Sequence, residues 1–292
     1  MRQKFMYQPA RTILEDGGTT VLLILLVLVG AFLTQTNSVF AATASVNVPD
    51  SGGVCSHPKS NGHCYATRDW PGATPGAFTN LSPYGSIYCG GCDGFIDNEL
   101  WLSDTTSSQC TTQGCWVEAG IEAISSSDSY DCTSSGNAVC LFWADSRPNG
   151  GGFHHHALDW LGDDGMDLDP WYFFVKIRNN TNNSASGNTW YVDVQSYYNS
   201  TLISDDTGLS TNNNMTPRDI IIGSELDAIP GYAWAGENDF QYNQWLDTSG
   251  NWHEQTALPY DDGTDGPPDG WWTQNPNSTN GGIWSTQCCS IG

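Results

Sequence analysis

Positive charge is scarce in this chain. Nine Lys and Arg face 32 Asp and Glu among 292 residues, a formal net charge of −23, although charged residues of every kind make up only 14%. Without clustered cations a protein gains no affinity from counterion release at phosphates, which excludes nucleic acid as a partner. Adhesion to an anionic membrane surface is disfavoured on the same ground. Strong helix formers such as Lys and Glu are few beside the abundant Gly, Asn, Ser, Thr and Asp, so little material exists for long helices and much for strands and turns. Internal repeats, a glycine-rich phosphate or nucleotide loop and a His-x-x-x-His pair are all missing. Aromatic residues are plentiful: 13 Trp, 12 Tyr and 10 Phe supply the area for a true core and argue against wholesale disorder.

Long apolar runs are lacking too, save for Val21–Leu33, which is too short for a comfortable membrane span and the right size for a signal-peptide core. Arg2, Lys4 and Arg11 precede it, and small residues around Ala41 to Ala44 follow it, so residues 1–44 read as a cleaved export signal. The long region before the core, with Glu15 and Asp16, keeps an N-terminal anchor as the alternative. After cleavage no membrane association is expected, and the mature protein is placed outside the cell.

All ten cysteines follow residue 44, an even number in an exported chain, which favours disulfides. Short separations suggest Cys55 with Cys64, Cys110 with Cys115 and Cys132 with Cys140, leaving Cys89 and Cys92 for Cys288 and Cys289. The competing reading takes Cys89, Cys92, Cys110 and Cys115 as a four-thiolate zinc site. Residues 45–114 carry Pro, Gly and Ser with little periodicity and read as a loop-rich, disulfide-held section. From Cys115 to the end the pattern becomes that of strands. Trp116-Val-Glu-Ala-Gly-Ile-Glu-Ala-Ile124 alternates cleanly, and further strands are expected at 139–145, 153–160, 171–178, 189–197, 219–227, 240–246 and 283–287. Many strands without helical patterns between them predict an all-β fold, an antiparallel two-sheet sandwich of the concanavalin-like or jelly-roll kind.

Glu118 and Glu122 fall on the polar face of one strand, so both carboxylates project into whatever that sheet faces. If the face is a groove, a carboxylate there can act as general base, or as acid once burial or a like charge raises its pKa. The alternative is a solvated strand face. His154-His-His156 suggests a metal, but strand neighbours point to opposite faces, leaving His154 and His156 as two donors without an evident third. Either one facing the groove could assist proton transfer. Asp163, Asp167 and Asp169 lie in an acidic loop with the oxygen-rich composition calcium prefers, though turn propensity also explains it; no other cofactor is expected. Trp271 and Trp272, in a Pro/Gly-rich tail segment, are candidates for stacking on sugar rings. Trp143, Trp171 and Trp190 lie within strands and read most simply as core, with Trp143 also near the candidate groove.

The order Cys115-Trp-Val-Glu-Ala-Gly-Ile-Glu122, Leu141-Phe-Trp-Ala-Asp-Ser-Arg-Pro148, Trp190-Tyr-Val-Asp-Val194 and Gly223-Ser-Glu-Leu-Asp227 resembles the glutamic peptidases, or eqolisins. In that family a strand of the type Leu-Gln-Thr-Gly-Val carries the catalytic Gln and a late strand the catalytic Glu. The resemblance implies Glu225 at the catalytic Glu and Gly120 at the Gly two places after the Gln. Glu118 stands where the family has Gln. An amide donates to the oxyanion of a tetrahedral intermediate, and a carboxylate does so only when protonated. The resemblance therefore implies an acid-acting hydrolase built on Glu118 and Glu225, with a polypeptide substrate. The same pair at another separation would suit polysaccharide hydrolysis, and a non-catalytic carbohydrate-binding or cell-surface structural protein is the alternative of a different class.

Overall fold

The computed structural model describes residues 63–89, 95–104, 115–124, 132, 138–148, 152–179, 184–227, 234–235, 238–255, 260–261, 272–273 and 284–287, all within the unit Val46–Gly292. Its strands are β1 (His63–Pro71), β2 (Gly76–Pro83), β3 (Ile87–Tyr88), β4 (Phe95–Asp104), β5 (Cys115–Ile124), β6 (Ala138–Arg147), β7 (Gly152–Asp163), β8 (Trp171–Asn179) and β9 (Gly187–Tyr198). There follow β10 (Thr201–Met215), β11 (Asp219–Asp227), β12 (Trp234–Ala235), β13 (Asn238–Leu246), β14 (Trp252–Glu254), β15 (Tyr260–Asp261), β16 (Trp272–Thr273) and β17 (Trp284–Gln287). One sheet of seven strands runs β15-β1-β11-β4-β5-β6-β7; another of eight runs β10-β9-β8-β2-β13-β17-β16 with β14 beside β13; β12 and β3 form a separate ribbon. The pairings are antiparallel, and the fold is an all-β, two-sheet sandwich. No helix of the described residues is long and apolar enough to cross a membrane.

Alternation builds the core. In β4 and β5 the side chains of Ile96, Leu100, Leu102, Val117, Ala119 and Ile121 turn inward, and from the other sheet Phe173, Val175, Ile177, Trp190 and Val192 meet them, all fully buried. Burial of apolar area at about 25 cal/mol per Å² is what holds the two sheets face to face. Trp143 belongs to this core, so its place is the inter-sheet layer and not a groove.

Residues 63–104, read from the sequence as loop-rich, contribute strands to both sheets. β1 and β4 flank β11 in the first, and β2 lies between β8 and β13 in the second. Beyond residue 104, β10 is the longest strand without a sequence signal. It forms the edge of the larger sheet and crosses back onto the first: Gly208 lies against the Trp143 indole, where a Cβ would come to 2.5 Å from Nε1, and Ser210 donates to Asp145. Asp145 is completely buried and also receives Arg147 Nε at 2.8 Å and His154 Nδ1 at 2.9 Å. Asn213 adds a bond from Nδ2 to the Trp116 carbonyl at 3.0 Å.

The expected Cys132–Cys140 disulfide is present. Cys89 and Cys115 are disulfide-bonded as well, which removes two thiolates from the alternative zinc set. The export signal, Cys55, Cys92, Cys110, Cys288, Cys289 and Trp271 lie outside the described residues.

Candidate functional site

Glu118 and Glu122 share one face of β5 because two and four residues along a strand return a side chain to the same side. Register brings further carboxylates beside them. Glu122 pairs with Asp97, Glu118 with Trp101, and Gly120 with Glu99 across the β4–β5 ladder, while Glu225 pairs with Asp97 and Gly223 with Glu99 across the β11–β4 ladder. The face of the seven-stranded sheet turned away from the core therefore carries Asp97, Glu99, Glu118, Glu122 and Glu225, every one of them buried. Oxygen atoms of Asp97, Glu99 and Glu225 all lie within 4.8 Å of one another. Gly120 is required by the close approach of β4, since a Cβ there would fall on the Asn98 carbonyl oxygen.

Desolvation dominates the electrostatics. Burial raises the pKa values of Asp97, Glu99 and Glu118 well above the ordinary carboxylate range, and like charges raise them further: Glu225 acts most on Asp97 and Glu118, and Asp97 acts most on Glu99. The Trp101 indole leans toward Glu99 and Glu118 and offsets part of this rise, yet closes no hydrogen bond with either Glu99 oxygen. The backbone N–H of Glu225 donates to Asp97 Oδ1 at 3.0 Å, which steadies the Asp97 carboxylate. Protons are thus held by the folded chain in a pH range where the unfolded chain has released them.

That sign has a measurable consequence. A carboxyl whose folded pKa is raised contributes stability below its unfolded pKa, near 4, and loses it as pH rises through the folded value; each such proton costs about 1.4 kcal/mol per pH unit across that window. The melting temperature in metal-free buffer is expected to be higher at pH 4 than at pH 7.5, the reverse of the usual trend, and Glu99→Gln should flatten the slope. A protein equally stable at both, or a slope untouched by Glu99→Gln, would contradict the protonation of this cluster.

Several residues singled out from sequence occupy other places. His154 bonds the buried Asp145, and His156 stacks on Trp143 with ring centroids 4.4 Å apart, its pKa lowered chiefly by burial. Neither reaches the carboxylate face. His155 does: its Nε2 lies 3.0 Å from Glu122 Oε2, and its ring stacks on Phe142. Asp163, Asp167 and Asp169 are exposed, and Asp167 Oδ1 accepts the Asp169 N–H at 3.0 Å. Among the described residues the group of three converging ligand atoms is Asp97, Glu99 and Glu225, not this loop. Trp272 is placed on β16, with its side chain outside what the structure describes. Asp97 and Glu99 escaped sequence reading, although Ile96-Asp-Asn-Glu-Leu-Trp-Leu102 alternates apolar and acidic positions around them.

No protein-family model and no curated protein matches the chain. Solved structures do. Scytalido-glutamic peptidase with a transition-state-analogue inhibitor has a TM-score of 0.46 at 6% identity, covering 77% of this chain and 98% of that one. SCP-B, a member of the eqolisin family in complex with the tripeptide Ala-Ile-His, has a TM-score of 0.42 at 7% identity, covering 78% and 99%. The alginate lyase from Klebsiella pneumoniae has a TM-score of 0.30 at 8% identity, covering 72% and 56%. The resemblance to the glutamic peptidases is distant and one of fold.

Proposed function

We propose that the chain is an acid-acting hydrolase in which Glu225 and Glu118 work as a proton-sharing pair on a polypeptide substrate. The observation that carries this reading is the burial of both groups among like charges on one sheet face, with the Glu118 pKa raised by desolvation and by Glu225. Glu118 and Glu225 also retain the most exposure of the cluster's carboxylates, 7% and 5%, against 2% or less for Asp97, Glu99 and Glu122, so they are the ones a water and a substrate reach.

In this mechanism Glu225, ionised, removes a proton from water as its oxygen attacks the scissile carbonyl. Glu118, protonated, donates a hydrogen bond to the developing oxyanion, and the proton held by Glu225 then passes to the leaving amine. Burial, and after it the charges of Glu225 and Glu122, retain the proton on Glu118. The sequence resemblance that equates Glu225 with a catalytic Glu supports the assignment of roles. The test is digestion of a denatured protein by the purified chain between about pH 2 and pH 7, the range in which carboxylates titrate. Cleavage that fades as pH rises through the raised pKa of Glu118 is expected, and no cleavage anywhere in the range would overturn the reading.

A further inference from the structure

Glu99 is the centre of the carboxylate cluster, and its surroundings are unusual. Both strand partners opposite it, Gly120 and Gly223, are glycines, so no side chain stands beside it across either ladder. The side chain is buried, 1% exposed, and among the described residues no donor closes a hydrogen bond on either carboxylate oxygen, the Trp101 indole approaching without closing one. A buried carboxylate left without a donor is costly to ionise, and at neutral pH that cost is relieved either by a retained proton or by a cation brought beside it. Among the described side chains, the basic group on this face is His155, and it is engaged with Glu122.

We propose that Asp97, Glu99 and Glu225 bind a calcium-sized divalent cation, with Glu99 as its central ligand. The donors are oxygens only, the hard set that suits calcium and magnesium and not zinc or copper. Ligands bonded to one calcium at about 2.3–2.6 Å stand at most about 5 Å apart, and the oxygens here lie within 4.8 Å of one another. Magnesium, at about 2.1 Å and near-ideal octahedral geometry, would require the three to draw closer. Three carboxylates supply up to six oxygens, and water completes the shell. Glu118 and Glu122 on the neighbouring strand add negative charge that attracts the ion without needing to touch it. The site is distinct in kind from the loop of Asp163, Asp167 and Asp169, whose carboxylates are exposed to water. This inference does not depend on the hydrolytic reading, since it concerns occupancy and is measured by binding.

The experiment uses the full chain, stripped with chelator and dialysed, at pH 7.5. Calcium chloride titrated by calorimetry should give saturable binding of one ion with a dissociation constant of about 1 mM or tighter, and should raise the melting temperature in step, as any ligand of the native state alone must. Magnesium should bind at least about tenfold more weakly. Glu99→Gln should weaken calcium binding by about tenfold or more while Asp167→Asn leaves it unchanged. If Glu99→Gln does not melt cooperatively, Asp97→Asn replaces it with the same expected loss. Absence of saturable binding up to about 10 mM calcium, beyond the weak end of ordinary protein sites, would overturn the proposal. So would binding that survives both Glu99→Gln and Asp97→Asn, or that disappears in Asp167→Asn. Binding without acid proteolysis, or proteolysis without binding, separates the fate of this inference from that of the proposed function.

Discussion

Glu225→Gln is expected to reduce acid proteolysis by about 10²–10⁴-fold, the usual contribution of a positioned general acid–base. An amide neither takes a proton from water nor returns one to a leaving amine. The substitution keeps size and removes charge from a place crowded with like charges, so the variant should be at least as stable as the parent and the loss will be chemical. Glu118→Gln is the complementary test. Its amide donates a hydrogen bond at every pH, whereas the parent carboxyl does so only while protonated, so this variant should keep or exceed the parent's rate and extend activity upward in pH. Rates on a fluorogenic peptide from about pH 2 to 7 measure both. A Glu225→Gln protein as active as the parent, or a folded but silent Glu118→Gln, would remove these residues from the roles given to them.

Asp145→Ala is expected to cost about 3–5 kcal/mol of stability, the range for breaking a buried charged pair by deleting one partner. Asp145 is fully buried and collects Ser210, Arg147 and His154 at once. Ser210 lies on β10 and Asp145 on β6, so the same deletion unfastens the edge of the larger sheet from the face of the smaller one. Arg147, 18% exposed, would retain its charge with little water to replace the carboxylate. At roughly 2–4 °C per kcal/mol for a chain of this order of size, the melting temperature should fall by about 10 °C. Asp145→Asn should lose less, because its carbonyl still accepts from Ser210. A change below about 1 kcal/mol in urea unfolding would show that the Ser210–Asp145 contact contributes little to holding β10.

Where alternation was regular, sequence reading and structure agree. β5 was legible from Val117, Ala119 and Ile121 alternating with Glu118, Gly120 and Glu122, and with it came the two glutamates that open the site. β4 has the same alternation, but Asp97, Asn98 and Glu99 are residue types that strands generally avoid, and Gly- and Ser-rich segments surround it. Their strand conformation is imposed by β11 and β5 on either side. β10 reads Thr-Leu-Ile-Ser-Asp-Asp-Thr-Gly-Leu-Ser-Thr-Asn-Asn-Asn-Met, a turn-like composition, and only its long ladder with β9 and its contacts with β6 make it a strand. The histidine on the carboxylate face was missed for a different reason. A run of three identical residues carries no marker of which parity points inward, and a one-residue slip exchanges the faces. β7 has register shifts against β6 at two places, and the pairing puts His155 opposite Ala144, on the side of Glu118.

The interleaving of early and late strands sets the order in which the chain can assemble. β1 finds its partner in β11, with His63 opposite Asp227, and β2 is completed by β8 on one side and β13 on the other. Such pairings close loops of roughly ninety residues or more, whose entropy must be overcome before any contact rewards it, and this topology makes folding slow. During synthesis β1 has no neighbour until β11 has been made, and β4 and β2, once paired with β5 and β8, each keep one edge unpaired until β11 and β13 arrive, so these edges are open to pairing with other chains. The carboxylate site inherits that schedule. Asp97, Glu99, Glu118 and Glu122 are gathered early by the β4–β5 ladder, and the cluster is completed when β11 slides between β1 and β4, so that the repulsion added by Glu225 burdens the last step and not the first.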